Sequence, residues 1–176
     1  MLGITAGGTE GVTAVVDASK TLITVTIPNE KITGGYTVKL LKTDKNNTDI
    51  KLEGAKFKVT LPNGSSSEYT TNENGEITLP SISITGTGKD TITIEEVEAP
   101  AGYNKIINTL KLEITKGLQS GKYVVTNAGI TEGQVDGVSV AVDLSKTVVT
   151  VTIPNEKITG GYSIKLLKTD GESEKL

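Results

Sequence analysis

Residues 3–44 of this chain recur as residues 129–170 at a constant offset of 126, with 30 of the 42 positions identical. The stretch TIPNEKITGGY, starting at Thr26 and again at Thr152, is unchanged. A period of that length is domain-sized, so the 176 residues read as a window on a tandem array. The copies join at the glycine pairs Gly34-Gly35 and Gly160-Gly161. On that division, 1–30 are the C-terminal strands of an upstream repeat, 31–158 one complete domain, and 159–176 the first strand of a downstream repeat. Neither terminal piece can bury a full core alone. Each is expected to dock on the middle domain, dock on a neighbouring molecule, or stay loose.

Composition then removes whole classes of chemistry. The chain has no Cys, His, Trp or Arg, and Phe57 is its one phenylalanine. Thiol nucleophiles, disulfides, Cys/His zinc sites and Ser-His-Asp triads need residues it lacks. With no guanidinium and a net charge of −3, it is not expected to bind nucleic acid. No cofactor or metal is called for. The run Asp44 to Asp49 (DKNNTD) suggests a calcium loop, but an EF-hand would need Gly where Asp49 stands and Glu where Ala55 stands, so it reads as a solvated turn. MLGITAGG lacks the basic and apolar regions of a signal peptide, KTDGESEKL carries no sorting signal, and no run approaches the length of a membrane span.

Thr, Val, Ile, Lys and Gly dominate, with turns at Asn63-Gly64, Asn74-Gly75, Gly86 to Gly88 and Gly117 to Gly121. The class is all-β, a β-sandwich of short strands. Within the complete unit they are expected at about 36–43, 55–61, 66–71, 76–80, 90–97, 106–115, 122–126, 137–143 and 147–155.

Two-residue alternation puts a polar group at the inward end of three strands. Val38, Leu40 and Lys42 share a face; so do Ile92, Ile94 and Glu96, and Val149, Val151, Ile153 and Asn155. Singly, each has an ordinary reading: Lys42 snorkels beside Asp44, Glu96 pairs with a surface lysine, Asn155 opens a turn after Pro154. Together, if their strands are neighbours, they form an amine, a carboxyl and a carboxamide in one dry pocket, where burial disfavours charge. A neutral Lys42 amine could attack the Asn155 carboxamide, with Glu96 passing protons to the departing ammonia and hydrogen-bonding the carbonyl oxygen. The product is a Lys-Asn isopeptide bond, made once per domain and without turnover.

The same residues carry a resemblance. IEEVEAPAGY, with Glu96 four residues before Pro100, resembles the E-box of Cna B-type (SpaA-like, prealbumin-like) domains of Gram-positive surface adhesins and pilins. The first-strand KLLKTD and the LEGAKFKV that follows it (Leu52, Gly54, Ala55, Phe57, Val59) are similar to the family's Lys-x-Asp and LxGAxF elements, and TVTIPNEK to its last strand. The resemblance implies a sandwich of reverse immunoglobulin-like topology, Lys42 and Asn155 as the bond-forming pair, Glu96 as promoter, and an extracellular, cell-wall-anchored stalk. Segment 116–140 departs from the pattern and is expected to hold an extra hairpin, with strand order open there.

Two functions follow. The favoured one is a structural stalk repeat of an adhesin or pilus; the alternative is an adhesive domain for a host matrix protein, with the crosslink as support. Asn29 and Lys168 repeat Asn155 and Lys42, yet only one E-box is present. The expected partners are therefore adjacent repeats and strand-swapped or head-to-tail copies of the chain, in which Asn29 of one copy meets Lys42 of another. No membrane insertion is expected of this segment.

Overall fold

A computed structural model describes residues 11–166 and Lys168. The MLGITAGG start and most of the KTDGESEKL end lie outside those residues. Among the described residues the secondary structure is entirely strand: β1 (Thr13–Val16), β2 (Ile23–Thr26), β3 (Gly34–Asp44), β4 (Lys56–Thr60), β5 (Ser66–Thr70), β6 (Glu76–Thr78), β7 (Ile82–Ile84), β8 (Gly88–Glu98), β9 (Leu110–Gln119), β10 (Lys122–Glu132), β11 (Ser139–Val142) and β12 (Val148–Asn155). No helix there is long and apolar enough to cross a membrane.

The strands from β3 to β12 form a sandwich whose two layers share β3. Its start pairs with β7 and meets β10 where Tyr123 lies beside Gly34; its remainder lies between β12, parallel, and β6, antiparallel. One layer is thus β11-β12-β3-β6 and the other β5-β4-β8-β9-β10. Alternation drives the packing. Val38, Leu40, Ile77, Val149, Val151 and Ile153 from the first layer join Phe57, Val59, Ile92, Ile94, Leu112 and Ile114 from the second in one apolar core. At the end of the core near the start of β3, the Tyr36 hydroxyl donates to Asp90 (2.7 Å), which also takes the Lys116 ammonium (2.5 Å).

Several boundaries differ from expectation. The short β7 was not anticipated: it lies between Pro80 and the Gly86 to Gly88 turn, so its residues read as part of that loop. The strand expected from 106 begins at Leu110 instead, because the Ile106 N–H is taken by a side chain and cannot join a ladder. Segment 116–140 holds no extra hairpin: β9 and β10 simply continue, turning at Ser120-Gly121, where both residues have positive φ. The irregularity there is two register shifts, between Val125 and Asn127 and between Ile130 and Glu132.

Outside the sandwich, β1 and β2 make a separate two-stranded sheet. Val15, Val16, Ile23 and Val25 on it are all at least half exposed. Residues 160–166 form no strand, and Tyr162, Ile164 and Leu166 are exposed, whereas Tyr36, Val38 and Leu40, which they repeat, are buried.

The crossing of β3 between layers depends on Gly34, where a Cβ would lie 2.1 Å from the Tyr123 carbonyl oxygen. Gly34→Ala should push β3 off β10 and cost about 1–3 kcal/mol of stability, as overpacking does. A lower midpoint in chemical denaturation checks it.

Candidate functional site

Lys42, Glu96 and Asn155 close the ends of three inward rows, and all three are buried, with at most 2% of their surface exposed. β3 and β12 are hydrogen-bonded neighbours, with Ile153 opposite Lys42 and Asn155 opposite Asp44, so Lys42 and Asn155 are diagonal neighbours on the inward face. β8 is not their neighbour. It pairs with β4 and β9 in the other layer and presents Glu96 from across the core. The side chains therefore meet through layer packing, not through lateral pairing of three strands.

The contacts among them are direct. Lys42 Nζ donates to Asn155 Oδ1 and lies 3.1 Å from Glu96 Oε1. Asn155 Nδ2 donates to that same Glu96 Oε1 at 2.9 Å. The other carboxylate oxygen, Oε2, accepts the Ile106 N–H at 2.6 Å, which fixes the carboxyl plane from the loop after β8. The Phe57 ring closes the pocket with its centroid 5.5 Å from the Lys42 nitrogen. Glu96 thus touches the carboxamide nitrogen, while the carbonyl oxygen faces the amine; the expected contact from Glu96 to that oxygen is replaced by one to Nδ2.

Electrostatics here favour a nucleophile. Burial pulls the Lys42 ammonium down from 10.5 to about 8, against the attraction of Glu96, which acts to raise it. A minor but appreciable fraction of the amine is then neutral near physiological pH, far more than for an exposed lysine. One carboxylate oxygen contacts both the amine nitrogen and the carboxamide nitrogen, the arrangement a proton relay between an entering and a leaving nitrogen needs.

The backbone of Lys42 is held as firmly as its side chain. Its N–H donates to the Gly75 carbonyl (2.7 Å) and its carbonyl accepts the Leu52 N–H (3.0 Å). Gly75 has φ of 68°, and a Cβ on it would sit 2.5 Å from the Lys42 oxygen, so the Asn74-Gly75 turn admits only glycine.

The ordinary readings of these residues fail on burial: Lys42 does not reach solvent, and the lysine near Glu96 is Lys42 itself. Glu95 and Glu98 are exposed, and Glu98 pairs with Lys56. Two further positions escaped the sequence reading. Ile106 acts through its backbone, which leaves no trace in residue type. Tyr103, of the APAGY turn, donates its hydroxyl to Asp44 at 3.0 Å and ties that turn to the end of β3. Asp44 also accepts the N–H groups of Asn46 and Asn47. The DKNNTD run is accordingly a capped turn, and among the described residues no group of acidic side chains is arranged to hold a metal ion. Asn29 and Lys168 are both exposed and neither reaches the site.

Residues 36–129, just over half the chain, match the family described as SpaA, prealbumin-like fold domain. The chain belongs to this family. The match takes in Lys42 and Glu96 of the SpaA domain and stops short of β12 and Asn155. Among solved structures, the C-terminal fragment of the pilus adhesin SpaC from Lactobacillus rhamnosus GG is 20% identical with a TM-score of 0.54, covering 86% of this chain and 56% of that one. The open conformation of SpaC from the same organism is 21% identical with a TM-score of 0.52, covering 86% of this chain and 18% of that one. Domains D2 and D3 of the major pilin SpaD from Corynebacterium diphtheriae are 17% identical over 83% of this chain and 56% of that one, with a TM-score of 0.49. The chain thus spans little more than half of the fragments it matches and a fifth or less of whole SpaC. No curated protein matches it significantly.

Hydrogen bonds from Asn46, Asn47 and Tyr103 hold the Asp44 carboxyl below the usual carboxylate range. A depressed folded-state value contributes stability that is complete above the unfolded value near 4 and is lost as pH falls through the folded value. Thermal melts from pH 6 to pH 2 should therefore show the wild type losing its advantage over Asp44→Asn below about pH 4.

Proposed function

We propose that this chain is a structural stalk or spacer repeat of a cell-surface adhesin or pilus, stabilised by a self-formed isopeptide bond between Lys42 and Asn155 that Glu96 promotes. The observation that carries the reading is the meeting of a buried amine, carboxamide and carboxyl in direct contact, two of them on the strands that begin and end the domain. Membership of the SpaA family and the likeness to the pilus adhesin SpaC support an extracellular setting on a Gram-positive cell wall. The terminal repeats support an array of consecutive units.

In the reaction, neutral Lys42 Nζ attacks Asn155 Cγ. Glu96 Oε1 takes a proton from the amine and hands it to Nδ2, the Cγ–Nδ2 bond breaks, and ammonia leaves. One amide replaces another and no external reactant is consumed. Because the nucleophile and its target are spent, the domain is its own single-use substrate and not an enzyme. The apolar pocket excludes water, which would otherwise compete for the carboxamide and hydrate the amine.

Mechanical advantage follows from the strand directions. β3 and β12 are parallel neighbours, so the entry at Gly34 and the exit after Asn155 lie at opposite ends of the sandwich. Pulling on them shears the β3–β12 pair. With the bond in place, load passes along β3 from Gly34 to Lys42 and leaves directly through Asn155, bypassing residues 43–154. The closed loop has a sequence separation of 113. In the chain-entropy picture used for disulfides, a loop of that size stabilises by about 4–5 kcal/mol.

Intact mass under denaturing conditions tests the chemistry. Wild type should be lighter than its sequence by one ammonia, while Glu96→Ala and Lys42→Ala should keep their full mass; a wild type at full mass removes the proposal. The rate has its own pH signature. Chain recovered unreacted in denaturant and refolded by dilution should close faster as pH rises, by roughly tenfold per unit below the Lys42 value, and level off above it, since only the neutral amine attacks. A flat profile from pH 6 to pH 9 would contradict a rate set by Lys42 deprotonation.

A further inference from the structure

The hairpin β1–β2 is a copy of the hairpin β11–β12 in structure as well as sequence. Thr13 faces Thr26 and Val16 faces Ile23, as Ser139 faces Thr152 and Val142 faces Val149. The loops match too. Asp17 Oδ1 accepts the N–H groups of Thr21 and Leu22, as Asp143 Oδ1 accepts those of Thr147 and Val148. Lys20 and Lys146 share a φ of 58°, and a Cβ on Gly11 or Gly137 would meet the ring of Pro28 or Pro154 at the same 2.9 Å. What differs is the cover. Val149, Val151 and Ile153 are buried, whereas Ile23, Val25 and Ile27 are 56%, 51% and 67% exposed.

We infer that the β1–β2 hairpin of one copy of this chain inserts into a second copy in place of β11–β12, bringing Asn29 against the second copy's Lys42 and Glu96 and linking the two head to tail. This rests on the isopeptide reading above. The hairpin has the apolar residues, register and terminal carboxamide that the acceptor's β3 needs; the parallel pairing of Val149 with Val38 and Asn155 with Asp44 becomes Ile23 with Val38 and Asn29 with Asp44.

Chain geometry keeps the hairpin off the β3 that follows it, so among these 176 residues its acceptor is another copy. In its inserted position Asn29 lies level with Asp44, at the far end of β3 from Gly34. Along β3 those ends are about 33 Å apart at the usual strand rise. The five steps from Asn29 to Gly34 of the same chain reach at most about 18 Å. A hairpin therefore cannot fold back onto its own β3. In trans there is no such limit: the donor's Asn29 to Gly34 connector leaves the acceptor as the connector from Asn155 to Gly160 leaves its own domain.

In the exchange, the acceptor's own hairpin withdraws, its neutral Lys42 Nζ bonds to the donor's Asn29 Cγ, and Asn29 Nδ2 leaves as ammonia with the proton relayed by the acceptor's Glu96. The withdrawn hairpin, still carrying Asn155, is free to enter a third copy, so the process is open-ended. In the wild type Asn155 is tethered beside Lys42 at high effective concentration and wins the competition. Removing it leaves Asn29 as the remaining hairpin carboxamide.

The test is Asn155→Ala in the full chain, refolded from denaturant at high protein concentration and weighed under denaturing conditions. Asn155→Ser is run beside it so that one truncation's effect on folding does not decide the result. Covalent dimers and longer species are expected, each junction lighter by one ammonia, with a proteolytic fragment joining Lys42 to Asn29. The ladder should vanish in Asn29→Ala/Asn155→Ala. Monomers alone in both single variants, while the wild type has lost its ammonia, overturn the exchange and leave the internal bond standing. A wild type at full mass overturns both.

Discussion

The structure turns on a lysine in a place where an ammonium is costly. Lys42 has no exposed surface, and its amine is surrounded by the Phe57 ring, one carboxylate oxygen and one carboxamide oxygen. Leaving such a group without partners costs several kcal/mol. Glu96 and Asn155 satisfy it, and burial shifts it toward the neutral form. The same desolvation that makes the residue expensive as a structural element favours its neutral form, the one that can act as a nucleophile.

The fold serves that cluster from several directions. β3 is pinned at Lys42 by Gly75 and Leu52, the loop after β8 fixes Glu96 through the Ile106 N–H, and Tyr103 anchors the following turn to Asp44. Each contact comes from a different segment, so Lys42, Glu96 and Asn155 are held in register by packing already complete elsewhere. Such preorganisation is what the proposed attack of a weak nucleophile on an unreactive amide would require. Parallel pairing of the first and last strands would give the proposed bond its mechanical meaning, because a tie between Lys42 and Asn155 would lie on the line of load.

The paired hairpins separate local from global causes. β1–β2 and β11–β12 take the same register, the same aspartate-capped loop and the same positive-φ lysine, although among the described residues only the second packs on a sandwich. Their shape is therefore encoded within about twenty residues, by a turn whose hydrogen bonds are satisfied internally. Their burial is not: Ile23 and Val149 differ in exposure because of what surrounds them, not because of what they are.

Sequence by itself determined the all-β class, the repeat, and the inward rows that end in Lys42, Glu96 and Asn155, because alternation is a short-range property that survives in a one-dimensional string. It misplaced the limits of β9 and β10 and passed over β7, Ile106 and the tie between Tyr103 and Asp44. Backbone donors have no residue signature, and β7, set between Pro80 and Gly86, is masked by the turn residues on either side. That Glu96 arrives from the opposite layer, not from a neighbouring strand, was decided only by tertiary packing. Which faces oppose each other depends on how the whole core closes, and no local pattern carries that information.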